Sequence, residues 1–294
     1  MIHKKSIGKA DLLSKMRSVV PLGGGEIYFT VSLIDCVSKI STLRSYPALV
    51  VAGKWNFKRH KSIVISDLHI GFESELYSKG ITLNLDLTVD EMVKDIISLI
   101  KTCNADSLII LGDLKNTVGS ISKEEWQTIP RFFKLISELV DVYMVPGNHD
   151  SNIRFLAPSN INMISASGLI LDDTVFIHGH SMPFQPGSSI KRIVMGHIHP
   201  IFIKTGSTIN GQRVWIYLKV KMEAIWPVSK GILDIIVVPS FNKHLFAMTQ
   251  HVHRKSISPL ISRVFKYNAI ESAVVITLDG SIIGDIHTIR SILF

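Results

Sequence analysis

Five apolar runs in this chain end in polar residues for which a buried strand has no use. The plainest is Val142-Tyr143-Met144-Val145, closed by Pro146 and followed by Gly147-Asn148-His149-Asp150. An apolar run stopped by Pro and Gly reads as a buried strand entering a tight loop. That loop presents an amide, an imidazole and a carboxylate together. Each costs free energy when buried unless it is paired or used. Alone, Asn-His-Asp is equally well explained by a turn whose side chains bond its own backbone. Its repetition along the chain is what constrains the fold.

The other four runs follow the same plan. Ile63-Val64-Ile65-Ser66 ends in Asp67-Leu68-His69. Residues i and i+2 of extended backbone share a side, so Asp67 and His69 are expected to aim at one point. Ser107–Leu111 ends in Gly112-Asp113. Thr174-Val175-Phe176-Ile177 ends in His178-Gly179-His180, and Ile193-Val194-Met195 ends in Gly196-His197-Ile198-His199-Pro200. Helical patterns fall between the early runs. Thr88 with Glu91, and Ser122 with Glu125, read as capping boxes. Met92, Val93, Ile96, Ile97 and Ile100 make one apolar stripe. Trp126, Ile129, Phe133, Ile136 and Val140 make another, with Pro130 placed to kink it. Strands alternating with helices predict an α/β domain with largely parallel strands and a site beyond their carboxyl ends.

The rest of the chain is plainer. Its 294 residues, 46% apolar and 19% charged, suit one large domain or two small ones. We divide it into an N-terminal extension, residues 1–46, and a domain over 47–294 with its motifs between 63 and 242. The extension holds a short helical pattern over residues 10–19 and Gly23-Gly24-Gly25. Without a following Gly-Lys-Ser/Thr, those glycines read as a flexible joint rather than a phosphate loop. Residues 48–52 and 61–66 read as a hairpin whose basic, aromatic tip, residues 54–60, is a solvated turn before it is a grip on nucleic acid. Residues 213–221 alternate like a half-exposed strand. A buried run then ends in Pro239-Ser240-Phe241-Asn242, and Asp279-Gly280 marks a second hairpin. No run is long and apolar enough to span a membrane, and no signal pattern opens the chain. Two cysteines, Cys36 and Cys103, make no disulfide framework, so a reducing cytoplasm is expected. The net charge of +8 favours polyanionic partners, and equally describes a basic soluble protein.

Asp67, His69, Asp113, Asn148, His178, His197 and His199 are the candidate metal ligands. Oxygen and imidazole donors without thiolate suit manganese first, and iron or zinc also. Seven donors exceed one tetrahedral ion and suit two ions roughly 3.5–4 Å apart sharing a carboxylate. Taken in order, these motifs resemble the calcineurin-like metallophosphoesterases. The strings Ser66-Asp67-Leu68-His69-Ile70-Gly71-Phe72-Glu73, Gly112-Asp113-Leu114-Lys115, Gly196-His197-Ile198-His199-Pro200 and Pro239-Ser240-Phe241-Asn242 resemble the archaeal and bacterial phosphoesterases related to the SbcD nuclease subunit.

That resemblance implies a sandwich of two β-sheets flanked by helices. It implies one divalent ion on Asp67, His69 and His199, a second on Asn148, His178 and His197, and Asp113 bridging them. It further implies attack on phosphorus by a hydroxide bridging the ions, with His149 protonating the leaving oxygen and Asp150 orienting His149. Asp150 reads equally well as a cap for the segment after it. The implied substrate is a phosphodiester, in nucleic acid or a nucleotide. Phosphomonoesters, cyclic nucleotides and a non-catalytic scaffold are the alternatives. SbcD-type nucleases carry His shortly after Gly-Asp, in Gly-Asp-Leu-x-His. Here that position is Asn116, which supplies no acid at neutral pH.

Overall fold

The computed structural model describes residues 18–21, 27–30, 39–55, 58–77, 80–81, 84–185, 189–245 and 258–293. The strands in chain order are β1 (Ser18–Pro21), β2 (Ile27–Thr30), β3 (Lys39–Leu43), β4 (Leu49–Trp55), β5 (Lys58–Ile65), β6 (Ser107–Leu111), β7 (Asp141–Val145) and β8 (Asn162–Met163). They continue with β9 (Leu169–Leu171), β10 (Thr174–Ile177), β11 (Arg192–Met195), β12 (Val214–Lys221), β13 (Ile232–Val237), β14 (Ile270–Thr277) and β15 (Ile282–Gly284). The helices are α1 (Phe72–Tyr77), α2 (Leu85–Cys103), α3 (Lys123–Ser137), α4 (Pro259–Lys266) and α5 (Ile286–Leu293). Among the described residues the strands form two sheets, β1 to β8 in chain order and β15-β14-β12-β13-β11-β10-β9.

The central strands of each sheet are buried on both faces, which is why they read as unbroken apolar runs. Along β5, Ile63 and Ile65 face α2 and α3, while Val64 faces the second sheet. Leu108 and Ile110 of β6 face the helices, and Ile109 and Leu111 the second sheet. Across the gap, Phe176, Val194, Trp215 and Tyr217 close the same inner layer. Val175, Ile193, Ile216 and Leu218 pack outward with α4 and Ile289 of α5. The molecule is therefore two sheets face to face with helices on the outer faces, the sandwich expected.

The strands are less parallel than the alternating pattern predicts. Five of the thirteen pairings are parallel, and they join β5-β6-β7-β8 and β10-β11-β13. The antiparallel strands lie outside them. The sheet also reaches back before residue 47, because β3 pairs with β4. The glycines 23–25 and residues 10–17 of the expected helix lie outside the described residues, and Ser18 and Val19 are in strand.

Several local expectations shift. The cap of α2 is Asn84, whose side chain accepts from the Leu87 N–H at 3.2 Å, so Thr88 and Glu91 lie inside the helix. The Ser122–Glu125 capping box is formed, with bonds of 3.1 and 2.8 Å. Trp126 is 51% exposed, because Phe132 and Phe133 fill the buried face instead. Strand β12 is not half-exposed. It lies between β13 and β14, and Trp215 and Tyr217 fill the layer between the sheets. Rings that read as an outward face on amphipathic grounds can equally cover a second apolar surface. Both hairpins form, β4-β5 and β14-β15, but residues 54–55 and 58–60 of the expected tip are paired strand rather than turn, and residues 56–57 lie outside the described ones.

Candidate metal centre

All five polar clusters stand at the carboxyl ends of parallel strands. Those of β5, β6 and β7 come from the first sheet, and those of β10 and β11 from the second. The donors converge between the sheets. His199 Nε2 lies 2.9 Å from Asp67 Oδ1 and 3.3 Å from His69 Nε2. His69 Nε2 is 3.5 Å from Asp113 Oδ2. On the other side of that carboxylate, His178 Nε2 is 3.2 Å from Asp113 Oδ2, 3.1 Å from His197 Nδ1 and 3.2 Å from Asn148 Oδ1. Two donor groups result: Asp67, His69, Asp113 and His199, and Asp113, His178 and His197. Within each, the ligand atoms lie within 4.8 Å of one another, and Asp113 is common to both.

The backbone that achieves this is strained. Asp67, His69, Asp113, His197 and His199 all have positive φ, from 45° to 72°. A left-handed conformation costs about 1–2 kcal/mol for a residue with a Cβ. Five of the ten such non-glycine residues described are these donors, so strain is concentrated where side chains must converge. Asp67 and His69 therefore do not meet by the alternation of an extended strand. Each is turned inward by its own backbone. Two glycines make the approach possible. A Cβ on Gly147 would collide with the Asp113 carboxylate, and one on Gly196 with Ser66 Oγ and Asp67.

The charges fit cations. Asp67 and His178 are fully buried, and Asp113 is 2% exposed. Burial opposes ionisation of Asp67, yet His199 and His178 hold it below the usual carboxylate range. Asp113 is held low likewise, against burial, by His178, His69 and His149. Burial, then His199, pushes His69 down to about 3, and burial with His178 pushes His197 down to about 4. Those two rings are neutral donors. Burial opposes charge on His178, but Asp113 and Asp67 raise it to about 9, and Asp67 raises His199 against the same opposition. Two buried carboxylates demand positive charge; without another cation, protons on these imidazoles supply it. Two pairs of ring nitrogens face each other, at 3.1 and 3.3 Å, and divalent ions suit such facing lone pairs.

Orientation comes from further partners. His178 Nδ1 donates to the Leu111 carbonyl at 2.8 Å, which leaves Nε2 for the site. Asp67 accepts from the His197 N–H at 3.1 Å, and Asp113 from the His149 N–H at 2.9 Å. His149 Nε2 lies 3.9 Å from Asp113 Oδ2, and its Nδ1 pairs with the carbonyl of Asn116. The expected pairing of Asp150 with the His149 ring is absent. Asp150 accepts from the N–H groups of Gly147, Leu114 and Lys115, at 2.7, 2.9 and 3.2 Å. Burial and then Asp113 raise it to about 6. It ties the loop after β7 to the loop after β6, and it caps no helix. His180 stands outside both donor groups, with its ring 5.4 Å from that of His178.

Sequence reasoning missed two contributors. The Asn116 carbonyl has no sequence signal, since any residue supplies one. Glu125, wholly buried, accepts from the N–H groups of Asn116 and Thr117 at 3.1 and 2.7 Å, so one residue caps α3 and holds the loop behind His149. The Ser122–Glu125 capping-box spacing is its only trace in the sequence.

The family model described as calcineurin-like phosphoesterase matches residues 60–201, the stretch that carries every one of these donors. A protein of Vesicomyosocius okutanii subsp. Calyptogena okutanii, described as a probable cyclic nucleotide phosphodiesterase, is 33% identical over 105 residues, 35% of this chain and 39% of its own. An uncharacterised protein of Acanthamoeba polyphaga mimivirus is 32% identical over 73 residues, 25% of this chain and 5% of its own. The chain thus spans a minor part of both relatives. Among solved structures, the Pseudomonas putida nuclease MPE covers 86% of this chain and 97% of its own at 16% identity, with a TM-score of 0.49. The E. coli phosphoesterase Yfce covers 76% of this chain and 97% of its own at 16% identity and a TM-score of 0.35. Among the described residues no helix is long and apolar enough to cross a membrane.

Proposed function

We propose, from the match of residues 60–201 to the calcineurin-like phosphoesterase family model, that this chain is a two-metal phosphodiesterase acting on nucleic acid or nucleotides. One observation carries the reading: two donor groups, each within 4.8 Å, share the single carboxylate of Asp113. Asp67, His69 and His199 would hold one divalent cation, and Asn148, His178 and His197 the other, with Asp113 between them. Manganese is the metal we assign first. Bound there, such a pair supplies an activated water and neutralises charge on phosphoryl oxygens.

The chain's own residues then do the following. Asp67 and Asp113 stay ionised at neutral pH and give the site its negative charge. His149 presents Nε2 toward the reacting phosphoryl group. Because the Asn116 carbonyl can only accept, it holds the proton of Nδ1, and Nε2 is the ring nitrogen left to exchange a proton with the substrate. Protonating the leaving oxygen from that atom is the role we assign to His149. Asp150 sets the loop rather than the ring. The Asn116 side chain offers no second acid, so we propose a diesterase distinct in proton delivery from the SbcD nucleases. The relative described as a cyclic nucleotide phosphodiesterase favours one second reading, that the substrate is a cyclic nucleotide. Two cysteines in 294 residues agree with a reducing cytoplasmic setting.

The test is an assay of purified protein with Mn²⁺ against aryl diesters, aryl monoesters, cyclic nucleotides and DNA, with metal analysis of the same sample. Turnover of diesters above monoesters, with two ions bound, is expected. Bound metal with no turnover of any of them would leave a scaffold.

A further inference from the structure

The motif Pro239-Ser240-Phe241-Asn242 takes no part in the chemistry above, yet it lies against the backbone that carries Asp67 and His69. That ligand loop is held from both sides. Its N–H groups at Asp67, His69 and Ile70 donate to the carbonyls of Gly112, Asp113 and Leu114, at 3.1, 2.9 and 2.8 Å. Its carbonyls at Ser66 and Asp67 accept from the N–H groups of Phe241 and Asn242, at 2.8 and 3.4 Å. The next carbonyl, Leu68, accepts from Asn242 Nδ2 at 2.9 Å. Leu68 sits between the two left-handed residues, so its carbonyl direction is tied to both turns.

The amide is itself fixed. Asn242 is 1% exposed, and its Oδ1 accepts from the His244 N–H at 2.9 Å, which leaves Nδ2 as the group facing Leu68. Behind it, Arg213 Nη1 donates to the carbonyls of Ser240 and Phe241, at 2.8 and 2.9 Å. Nothing comparable from this segment reaches the loops of Asn148, His178 or His197 in the bonds above. We propose that Asn242 is a positioning residue for one metal centre only, the one formed by Asp67, His69 and His199. It holds the left-handed turns that aim Asp67 and His69 at a divalent cation. The proposal rests on the two-cation reading.

The test is equilibrium dialysis against Mn²⁺ for the wild type and Asn242→Asp, with a thermal melt of each. Aspartate keeps the acceptor for His244 and replaces the donor to Leu68 by a buried carboxylate oxygen that repels that carbonyl. The wild type should bind two ions. Asn242→Asp should keep one at wild-type affinity and bind the other about 10–100-fold more weakly, the usual effect of removing a partner that orients a ligand. Adding His197→Ala should then abolish tight binding, while adding His199→Ala should leave one ion. Equal weakening of both sites, or no weakening, would overturn the proposal. Fewer than two ions on the wild type would instead refute the two-cation reading and take the proposal with it. Should Asn242→Asp not fold, Arg213→Lys makes the same test, with the same selective but smaller loss expected.

Discussion

The two sheets contribute unequal chemistry to one site. The first supplies both carboxylates, the Asn148 amide and His149; the second supplies only imidazoles, His178, His197 and His199. Negative charge thus sits on one half of the sandwich, and additional lone pairs on the other. The difference teaches that each candidate donor group draws on both sheets. Asp113 joins His69 of its own sheet at 3.5 Å and His178 of the other at 3.2 Å. The inner apolar layer is what brings those partners to that distance.

The sharpest way to break this asymmetry is Asp113→Ala. It removes the one carboxylate common to both donor groups, so both ions and all activity above background should be lost. Metal analysis decides it: two ions still bound would end the shared role of Asp113. Next in size is His149→Asn, which asks whether the first sheet also holds the proton. An aryl oxygen leaves readily without protonation, and a sugar alkoxide does not. The variant should keep both ions and much of its rate on an activated aryl diester. On an alkyl diester it should lose roughly 10²–10⁴-fold. Equal losses on both would make His149 a grip on the phosphoryl group.

A third variant attacks the layer between the halves. Phe176 is fully buried on β10 and faces Val64, Ile109 and Leu111 of the first sheet within one cluster. Phe176→Ala should cost about 3–5 kcal/mol in urea denaturation, the usual range for truncating a core phenylalanine. A loss under about 1 kcal/mol would mean that the sheets do not depend on that layer.

How much of this was open to sequence reasoning follows from the same asymmetry. The donors were readable because a polar residue ending a buried strand violates the apolar pattern, and five violations in order are hard to attribute to turns. The two sheets were not readable from pattern alone. Ile63 and Val64 look identical as letters, although one faces helices and the other faces β-sheet. Resemblance supplied the sandwich. The burial of Trp215 and Tyr217 escapes the sequence for a related reason, since an alternating strand states that two faces differ and not that one is wet. Asp150 adjoins His149 in sequence, yet its carboxylate accepts from three backbone N–H groups, and such partners leave no sequence signal. Backbone partners such as the Asn116 carbonyl leave no mark on sequence, and only coordinates reveal them.

The last prediction tests the electrostatic half of the comparison. Asp67 and Asp113 are both buried, and the charge of Asp113 opposes ionisation of Asp67. With divalent ions bound, that repulsion is offset by the ions. With them removed, it must be offset by protons on His178 and His199, both raised by those same carboxylates. Removal should therefore loosen the native state without unfolding it. A ligand at about 100 times its Kd stabilises by about 2.7 kcal/mol per site, so a chelator should lower Tm by several degrees. The loss should not fall evenly. The loops after β5 and β6 carry like charges and left-handed strain at Asp67, His69 and Asp113, whereas the loop after β10 carries only the imidazoles of His178 and His180. Hydrogen exchange with and without chelator should show residues 66–70 and 112–116 opening more than residues 177–180. Equal opening of the three loops would place the stabilising action of the metals on the sandwich as a whole, and an unchanged Tm would mean that protons replace the metals at no cost to stability.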